Sequence, residues 1–331
     1  MASAAVPSTP ATLSAGVLAG DRRALARAIS IVENRTDGYR ELLTGLHTRV
    51  GRAFRIGITG PPGAGKSTLV DALAAQWADR GDRVGIVAVD PTSPFTGGAL
   101  LGDRVRMGDL ANRPEVYVRS MATRGSTGGI AAATRDICSV LDAYGFDWLL
   151  IETVGVGQIE IEVMHICDAV VVVFVPESGD GVQALKAGLI EIAHVFVVNK
   201  ADRPGADQLA TELSHVVADR AETGDWRPPV LTTEATRRRG IDPLEQEIVR
   251  CREHLLGTGG LHTARRRQAR VELENLLKER LHRYLSGHAQ LGVWIDDLTE
   301  RMARGDLDPH RGADMIWQRL REESDTDATR E

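Results

Sequence analysis

The sequence predicts an α/β fold whose mostly parallel sheet is covered by helices on both faces. Between Arg52 and Leu256, apolar runs of strand length alternate with segments of helical periodicity, which is the pattern of a parallel sheet with helical crossovers. The 331 residues are enough for one domain of about 200 residues with smaller pieces at its ends. We therefore predict a central domain over residues 52–256, an N-terminal helical extension within 1–51 and a C-terminal helical arm within 257–331.

The N-terminal extension is predicted to be mobile at first and then helical. Residues 1 to 15 are rich in Ala, Ser, Pro and Thr, a composition that offers few apolar groups to a core. Asp21 then caps a predicted helix that ends at Glu33. A second helix is predicted whose apolar face is formed by Tyr39, Leu42, Leu43 and Leu46, so that the helical extension reaches about Gly51.

Seven strands are predicted in the central domain. They are Arg55–Thr59, Val84–Asp90, Glu115–Ser120, Trp148–Thr153, Ala169–Val175, Val195–Asn199 and Val230–Thr233. Because α/β sheets bind ligands at the carboxyl ends of their strands, the residues that follow these strands form the predicted site.

The C-terminal arm is predicted to be helical. A short flexible linker, Gly257–Gly260, precedes a long amphipathic helix over Leu261–Leu285, two shorter helices over 291–302 and 309–321, and a frayed polar tail from Glu322. The helices could dock on a core of their own. We favour dimerisation, because the long apolar stripe would otherwise stay exposed.

A phosphate-binding motif follows the first strand. Its nine residues are Gly60, Pro61, Pro62, Gly63, Ala64, Gly65, Lys66, Ser67 and Thr68. Such a loop turns backbone N–H groups toward phosphate oxygens, and the next helix points its positive end at them. Lys66 is predicted to reach the β- and γ-phosphates and Ser67 to ligate Mg²⁺. The sequence therefore predicts a P-loop protein that binds a nucleoside triphosphate.

A second motif selects the base. The strand Val195–Asn199 runs into Lys200, Ala201 and Asp202, an N-K-x-D pattern. The Asp202 carboxylate can accept from guanine N1–H and N2–H₂ together, a donor pair that adenine lacks. The Asn199 amide suits the N7/O6 edge, and the Lys200 stem can cover the base. GTP and GDP are the predicted ligands.

Three acids are candidates for sensing metal and γ-phosphate. Asp90 ends a strand, Asp103 follows a Gly-rich segment, and Glu152 lies where a Walker-B carboxylate is expected. Mg²⁺ prefers such oxygen ligands. Lys66, Asp90 and Glu152 are the predicted catalytic residues, with Asp90 the leading candidate to orient the attacking water and Gln158 the runner-up.

Composition bears on the ligands that the protein can bind and on its cellular compartment. A net charge of −6 argues against nonspecific nucleic-acid binding. The apolar runs are too short to span a membrane. Three scattered cysteines and an N-terminus without the charged start of a signal peptide predict a cytoplasmic protein.

Five segments together resemble the MeaB/ArgK family of methylmalonyl-CoA-mutase-associated GTPases. They are Gly60–Thr68, Asp90–Pro94, Arg119–Gly125, Glu152–Gln158 and Asn199–Asp202. The resemblance implies a homodimeric P-loop G protein with a C-terminal dimerisation arm. It also implies that the protein gates the loading of adenosylcobalamin into methylmalonyl-CoA mutase and protects that enzyme.

The resemblance also implies roles for individual residues. Ser67, Asp90, Asp103 and Glu152 match positions that respond to metal and γ-phosphate. The segment Pro176–Lys186 looks like the family's third switch, with Gln183 and Lys186 as polar tips toward the mutase. The segment Thr233–Thr236, which contains Glu234, Ala235 and Thr236, occupies the guanine-supporting position, where the family usually carries Ser-Ala. There the Ala235 N–H can reach guanine O6, whereas Glu234 departs from the pattern.

The predicted reaction is hydrolysis of GTP to GDP and phosphate, slow alone and faster when a partner orders the switches. Two other readings share the nucleotide motifs. One is a metal-inserting maturation GTPase, which usually shows Cys/His clusters, whereas the cysteines and histidines here are dispersed. The other is a transport-associated kinase, which would need a phosphoacceptor.

Overall fold

A computed structural model describes residues 9–90, 110–122, 127–153, 155, 162–176, 189–220, 226–287 and 289–328. The chain divides into two compact units, Met1–Gln268 and Ala269–Glu331. These units differ from the three predicted domains. The N-terminal extension belongs to the same unit as the central domain, and the second boundary falls inside a helix twelve residues after the predicted one at residue 256.

The first unit contains three N-terminal helices and then an alternating α/β region. The N-terminal helices are α1 Pro10–Leu18, α2 Arg22–Glu33 and α3 Tyr39–Leu46. The strands are β1 Phe54–Thr59, β2 Val84–Asp90, β3 Val116–Ala122, β4 Trp148–Thr153, β5 Ala169–Phe174, β6 Val195–Asn199 and β7 Val230–Thr233. The helices that follow are α4 Lys66–Asp79, α5 Thr127–Tyr144, α6 Leu189–Ile192, α7 Ala206–Arg220, α8 Ile241–Gly257 and α9 Gly260–Gly287.

Within the described residues, the seven strands form one sheet in the order β3-β2-β4-β1-β5-β6-β7, and each neighbouring pair is parallel. The predicted α/β fold is confirmed. β1 lies in the middle of the sheet, between β4 and β5. Every strand therefore delivers its carboxyl end to the same edge, and the loop after β1 lies near the centre of that edge.

Both faces of the sheet are covered, and β5 illustrates why its sequence is a continuous apolar run. All six of its residues are buried. Val170 and Val172 point into a core shared with α5 and the N-terminal helices, whereas Val171 and Val173 point into a core shared with α4 and α8. A strand that buries both faces has no polar alternation, which is typical of a parallel sheet in this class.

Helix α1 corrects one prediction. Residues 9–15 were expected to be mobile, but α1 starts at Pro10, and the Thr9 hydroxyl caps it by accepting from the Thr12 N–H (3.2 Å). Leu13 and Val17 are buried in the core that α5 also lines. Because most residues of this segment are small, its composition did not indicate these two apolar contacts. The predicted Asp21 cap of α2 is confirmed by its bonds to the N–H groups of residues 23 (2.7 Å) and 24 (3.3 Å).

Arg265, near the start of α9, ties this helix to the amino ends of β1 and β5. Its guanidinium donates to both carboxylate oxygens of Asp168 (2.8 and 2.6 Å) and to the carbonyl oxygens of Gly51 (2.6 Å) and Ala53 (2.7 Å). Asp168 is buried and also accepts from the Arg55 N–H (2.9 Å). The predicted flexible linker Gly257–Gly260 is only a two-residue break, because α8 ends at residue 257 and α9 begins at 260.

The second unit contains the end of α9, α10 Ala289–Ala303 and α11 Pro309–Ala328. Leu291, Leu298 and Leu307 are buried. The polar tail was expected to fray from Glu322, but α11 continues through Ala328. In the described parts of the chain, none of the helices combines the length and the apolar character needed to cross a membrane.

Candidate nucleotide site

The phosphate loop connects β1 to α4, and two of its glycines show how closely it packs. Gly60 has φ 147° and Gly65 has φ 84°, a region that favours glycine. A Cβ on Gly60 would overlap the carbonyl oxygen of Val173 on β5, and a Cβ on Gly65 would overlap the amide nitrogen of Asn199. The loop is therefore pressed against the strand on one side and the base motif on the other.

Lys66 is the first residue of α4, and its side chain folds back over the loop. Nζ donates to the carbonyl oxygens of Gly60 (2.9 Å) and Pro61 (3.0 Å). The side chain is buried. A buried ammonium at a helix N-terminus, where the helix dipole already favours anions, gives a concentrated positive charge for a phosphate group.

Ser67 and Glu152 meet at the next position. The Ser67 hydroxyl donates to Glu152 Oε1 (2.6 Å), and the carboxylate is buried at the end of β4 beside Ile58 of β1. These hard oxygen donors suit Mg²⁺. In the portion of the chain that is described, no group of three or more His, Cys, Asp or Glu side chains could hold a metal ion. Mg²⁺ commonly completes its shell with phosphate and water oxygens, so this two-residue donor set fits it.

The remaining predicted metal and switch residues are described only in part. The backbone of Asp90 ends β2 and pairs with Ala122 of β3, two residues beyond the Ala88–Glu152 pair. The side chain of Asp90 lies outside the described residues, as do the whole of Asp103, Gln158, Gln183 and Lys186. Their predicted roles stay predictions.

Asn199 joins three segments of the site. Its Nδ2 donates to the carbonyl oxygen of Ala64 in the phosphate loop (2.9 Å). Its Oδ1 accepts from the Thr233 hydroxyl (3.0 Å) and the Ala235 N–H (3.2 Å). The side chain is buried. The sequence assigned this amide to the guanine edge, but here it fastens the phosphate loop to the loop after β7. Among the hydrogen bonds of the described residues, its second Nδ2 proton is the one that stays available to a base.

The rest of the base motif lies at the rim of the site. Lys200 has φ 58°, which turns the chain at the end of β6. The Ala201 N–H then donates to the carbonyl oxygen of Thr233 (3.0 Å), which holds the motif beside β7. Asp202 is exposed, so its carboxylate is accessible to a base, as the predicted contact with guanine requires.

The Glu234–Thr236 segment begins a short 3₁₀ turn, Ala235–Arg237. The Ala235 N–H, predicted to donate to guanine O6, already donates to Asn199, so the predicted bond requires this proton to be shared. Sequence reasoning placed Thr233 in this segment but assigned it no role of its own. Its position as the last residue of a buried strand that precedes the base-side loop was the available signal.

The sheet is parallel, and its phosphate loop follows the central strand. A lysine and a serine begin the next helix, and a carboxylate faces them. These features define a P-loop nucleoside triphosphatase. Comparison with known proteins narrows this class. The family model of the methylmalonyl Co-A mutase-associated GTPase MeaB matches residues 25–290. The chain belongs to this family, and we describe it as a GTP hydrolase.

The chain is also similar to known relatives and to a solved structure over most of its length. A protein of Pyrococcus abyssi that carries the name GTPase is 46% identical over 304 residues, covering 91% of this chain and 94% of the relative. The mouse mitochondrial methylmalonic aciduria type A homolog is 33% identical over 319 residues, covering 91% of this chain and 77% of the relative. The crystal structure of a LAO/AO transport system kinase covers 96% of this chain and 100% of that chain, with a TM-score of 0.73 and 26% identity.

Proposed function

We propose that this GTPase is a G-protein chaperone of methylmalonyl-CoA mutase. In this role it gates the loading of adenosylcobalamin into the mutase and protects that enzyme from inactivation. The observation that carries the proposal is the match of residues 25–290 to a family named for its association with this mutase. The scattered cysteines favour the cytoplasm as its compartment.

The reaction is attack of water on the γ-phosphorus of GTP. The bond to the β–γ bridging oxygen breaks, and the water loses a proton as phosphate forms. Lys66 and the N–H groups of the loop stabilise the charge on the transferring group and on the leaving GDP. The position of Lys66 Nζ over the loop supports this role. Asp90, at the end of β2, is the candidate to orient the water, with Gln158 as the runner-up.

Mg²⁺ is the proposed metal cofactor, with Ser67 and Glu152 as its described protein donors and Asp90 and Asp103 as further candidates. When bound, the ion supplies positive charge to the phosphate oxygens. The 2.6 Å hydrogen bond between Ser67 and Glu152 supports this assignment, because it brings a hydroxyl and a carboxylate to one point beside the phosphate loop.

Recognition of guanine is assigned to the base motif. Asp202 accepts from the guanine N1–H and N2–H₂ groups, and the stem of Lys200 covers the base. Asn199 contributes mainly by holding the phosphate loop and the loop after β7 together. By linking the two loops, Asn199 helps to hold the base site and the phosphate site at a constant distance. A bound nucleotide needs this because its own base and phosphates are connected.

The C-terminal arm is proposed to form a homodimer. On the part of α9 that lies in the second unit, six apolar side chains are 40% to 58% exposed. They are Val271, Leu273, Leu276, Leu277, Leu281 and Tyr284. Apolar side chains that are exposed along one helix suit contact with a second copy of the same helix, since closed two-fold pairing is the common way to bury them.

The partner switch is proposed to be the segment Pro176–Lys186, which begins just after β5. Lys186→Ala should leave slow intrinsic GTP hydrolysis near the wild-type rate, because the polar contacts of this residue are proposed to form only with the partner. The same change should remove most of the acceleration given by methylmalonyl-CoA mutase. Single-turnover hydrolysis with and without the cognate mutase measures both effects.

Equal acceleration of wild type and variant by the mutase would reject the segment as the coupling element. Acceleration of neither would remove the main support for the chaperone role. The similar solved structure is named a LAO/AO transport system kinase, which raises a second candidate function, that of a transport-associated kinase. Incubation with γ-labelled GTP distinguishes it, because a kinase transfers the label to a protein or small-molecule acceptor, whereas a hydrolase releases it as phosphate.

A further inference from the structure

We propose that Glu234 and the two arginines that grip it, Arg237 and Arg239, form a latch that slows the release of bound guanine nucleotide. We call these three side chains the Glu234 latch. The inference rests on the guanine-nucleotide site and does not depend on the mutase. In this proposal Glu234 is a positioning residue that acts on the nucleotide through Asn199.

The backbone of the latch is a closed loop between β7 and α8. The Glu234 N–H donates to the carbonyl oxygen of Arg239 (3.0 Å), and the Arg239 N–H donates back to the carbonyl oxygen of Glu234 (3.3 Å). Arg238 turns the chain with φ 53°, and Gly240 follows with φ 76°. A Cβ on Gly240 would overlap the carbonyl oxygen of Thr232. The loop therefore folds tightly onto the end of β7.

The side chains close the same loop a second time. The Glu234 carboxylate accepts from Arg237 Nη1 (2.8 Å) and from Arg239 Nη1 (3.4 Å). The glutamate side chain is only 15% exposed, whereas the arginines are 59% and 70% exposed. The hydrogen bond from Arg237 holds the pKa of Glu234 below its usual value, so the carboxylate stays charged near neutral pH.

The latch connects directly to the nucleotide site through its neighbours. Thr233 and Ala235, the residues on either side of Glu234, both donate to Asn199 Oδ1 (3.0 and 3.2 Å). Asn199 in turn donates to Ala64 of the phosphate loop (2.9 Å). If the loop swings away from β6, Asn199 loses the Ala235 donor, although Thr233 stays paired with it in the sheet, and its hold on the phosphate loop is weakened. The latch opposes this motion.

Arg237 also feels the charge of Asp202, the carboxylate assigned to guanine. Its hydrogen bond to Glu234 is the largest cause that raises the pKa of Arg237, and the negative charge of Asp202 adds to it. One arginine is therefore attracted by both the latch glutamate and the residue assigned to guanine. Because Arg237 and Asp202 are exposed, salt should weaken the attraction.

An isolated surface ion pair contributes little, so the proposal needs a matched comparison. Glu247 and Arg250 on α8 provide one. Their contact is 2.7 Å, the spacing is i,i+3 as for Glu234 and Arg237, and the side chains are 19% and 66% exposed. This pair joins residues of one helix and has no described contact with Asn199 or the phosphate loop.

The experiment measures dissociation of a fluorescent N-methylanthraniloyl GDP from the full chain by stopped flow, with excess unlabelled GDP as chase. Glu234→Gln removes the charge but keeps the shape. We expect it to accelerate release by about threefold to tenfold. We expect Glu247→Gln to release GDP at the wild-type rate. Raising salt from low to high concentration should accelerate release from the wild type but have little effect on Glu234→Gln.

The proposal would be overturned if Glu234→Gln released GDP at the wild-type rate. Faster release that keeps the wild-type salt dependence would also overturn it, because that result describes a general loosening of the loop. If Glu234→Gln does not fold, Arg237→Gln tests the same contact from the exposed side, with the same expected and contrary results. Failure of the wild type to bind labelled GDP would reject the guanine site itself, which is a separate outcome.

Discussion

Replacing Asn199 with alanine distinguishes two roles for the amide. If the side chain served only to contact guanine, its loss would weaken nucleotide binding and leave the nucleotide-free protein as stable as the wild type. In the structure the amide instead bonds to Ala64, Thr233 and Ala235. We therefore expect Asn199→Ala to destabilise the protein even when no nucleotide is present.

The size of the effect follows from the three partners that lose their bonds. All three residues are buried. Leaving one buried polar group unsatisfied costs about 1–3 kcal/mol. Water that enters the space left by the amide recovers part of the sum, so we expect a loss of about 3–5 kcal/mol in the free energy of unfolding. For a unit of this size that corresponds to a fall of about 10 °C in Tm.

The assay is thermal and urea unfolding of protein freed of nucleotide by a chelator and a phosphatase. Asp202→Asn is the matched control, because it lies in the same motif but is exposed. It should change the free energy of unfolding by less than about 0.5 kcal/mol, while weakening GDP binding and shifting preference toward xanthine nucleotides. If Asn199→Ala and Asp202→Asn proved equally stable without nucleotide, the role of Asn199 as a structural link would be refuted.

Two further predictions concern the phosphate site and the buried thiols. Lys66→Ala and Glu152→Ala should each lower single-turnover GTP hydrolysis by about 10²-fold or more with unchanged circular dichroism, because both act on charge at the phosphates; near-normal turnover in either would contradict the assignment. Burial raises the pKa of Cys138 from 9.0 to about 11 and that of Cys251 from 9.0 to about 12. Below pH 9 both the folded and the unfolded states hold these protons, whereas above pH 9 the unfolded state loses them first, so the free energy of unfolding should fall as pH rises toward 11. Urea midpoints at pH 8 and 10.5 measure this fall, which should be smaller in Cys138→Ala; an equal fall in the variant would show that other groups cause it.

The sheet could be predicted because its strands bury both faces. A run such as Ala169–Val175 has no polar alternation, and only its last residue lies beyond the observed β5. The edge strand β3 was placed less well: its predicted span, Glu115–Ser120, is shifted from the observed Val116–Ala122. Helix α1 was missed because its stability comes from tertiary contacts of Leu13 and Val17, which local composition does not record.

The site was predictable where one short segment carries all of its chemistry. The phosphate loop is contiguous, so its lysine and serine could be placed from spacing alone. The role of Asn199 was not predictable, because its partners lie 135 residues earlier in the chain at Ala64 and 34 and 36 residues later at Thr233 and Ala235. Glu234 was noticed only as a departure from the family pattern, because its contacts with Arg237 and Arg239 depend on how the loop after β7 folds.

The Arg265 contacts impose an order of events on the synthesis of this chain. Arg265 bonds to the carbonyl oxygen of Gly51, 214 positions earlier, and to Asp168, 97 positions earlier. At about 5–20 residues per second, the ribosome adds Arg265 about 5–20 s after Asp168. Throughout that interval the buried carboxylate of Asp168 lacks its cation, and burying it unpaired is costly. The last contacts of the sheet therefore form only after the start of α9 has left the ribosome, so a nascent chain that stops at α8 leaves the amino edge of its central strands open.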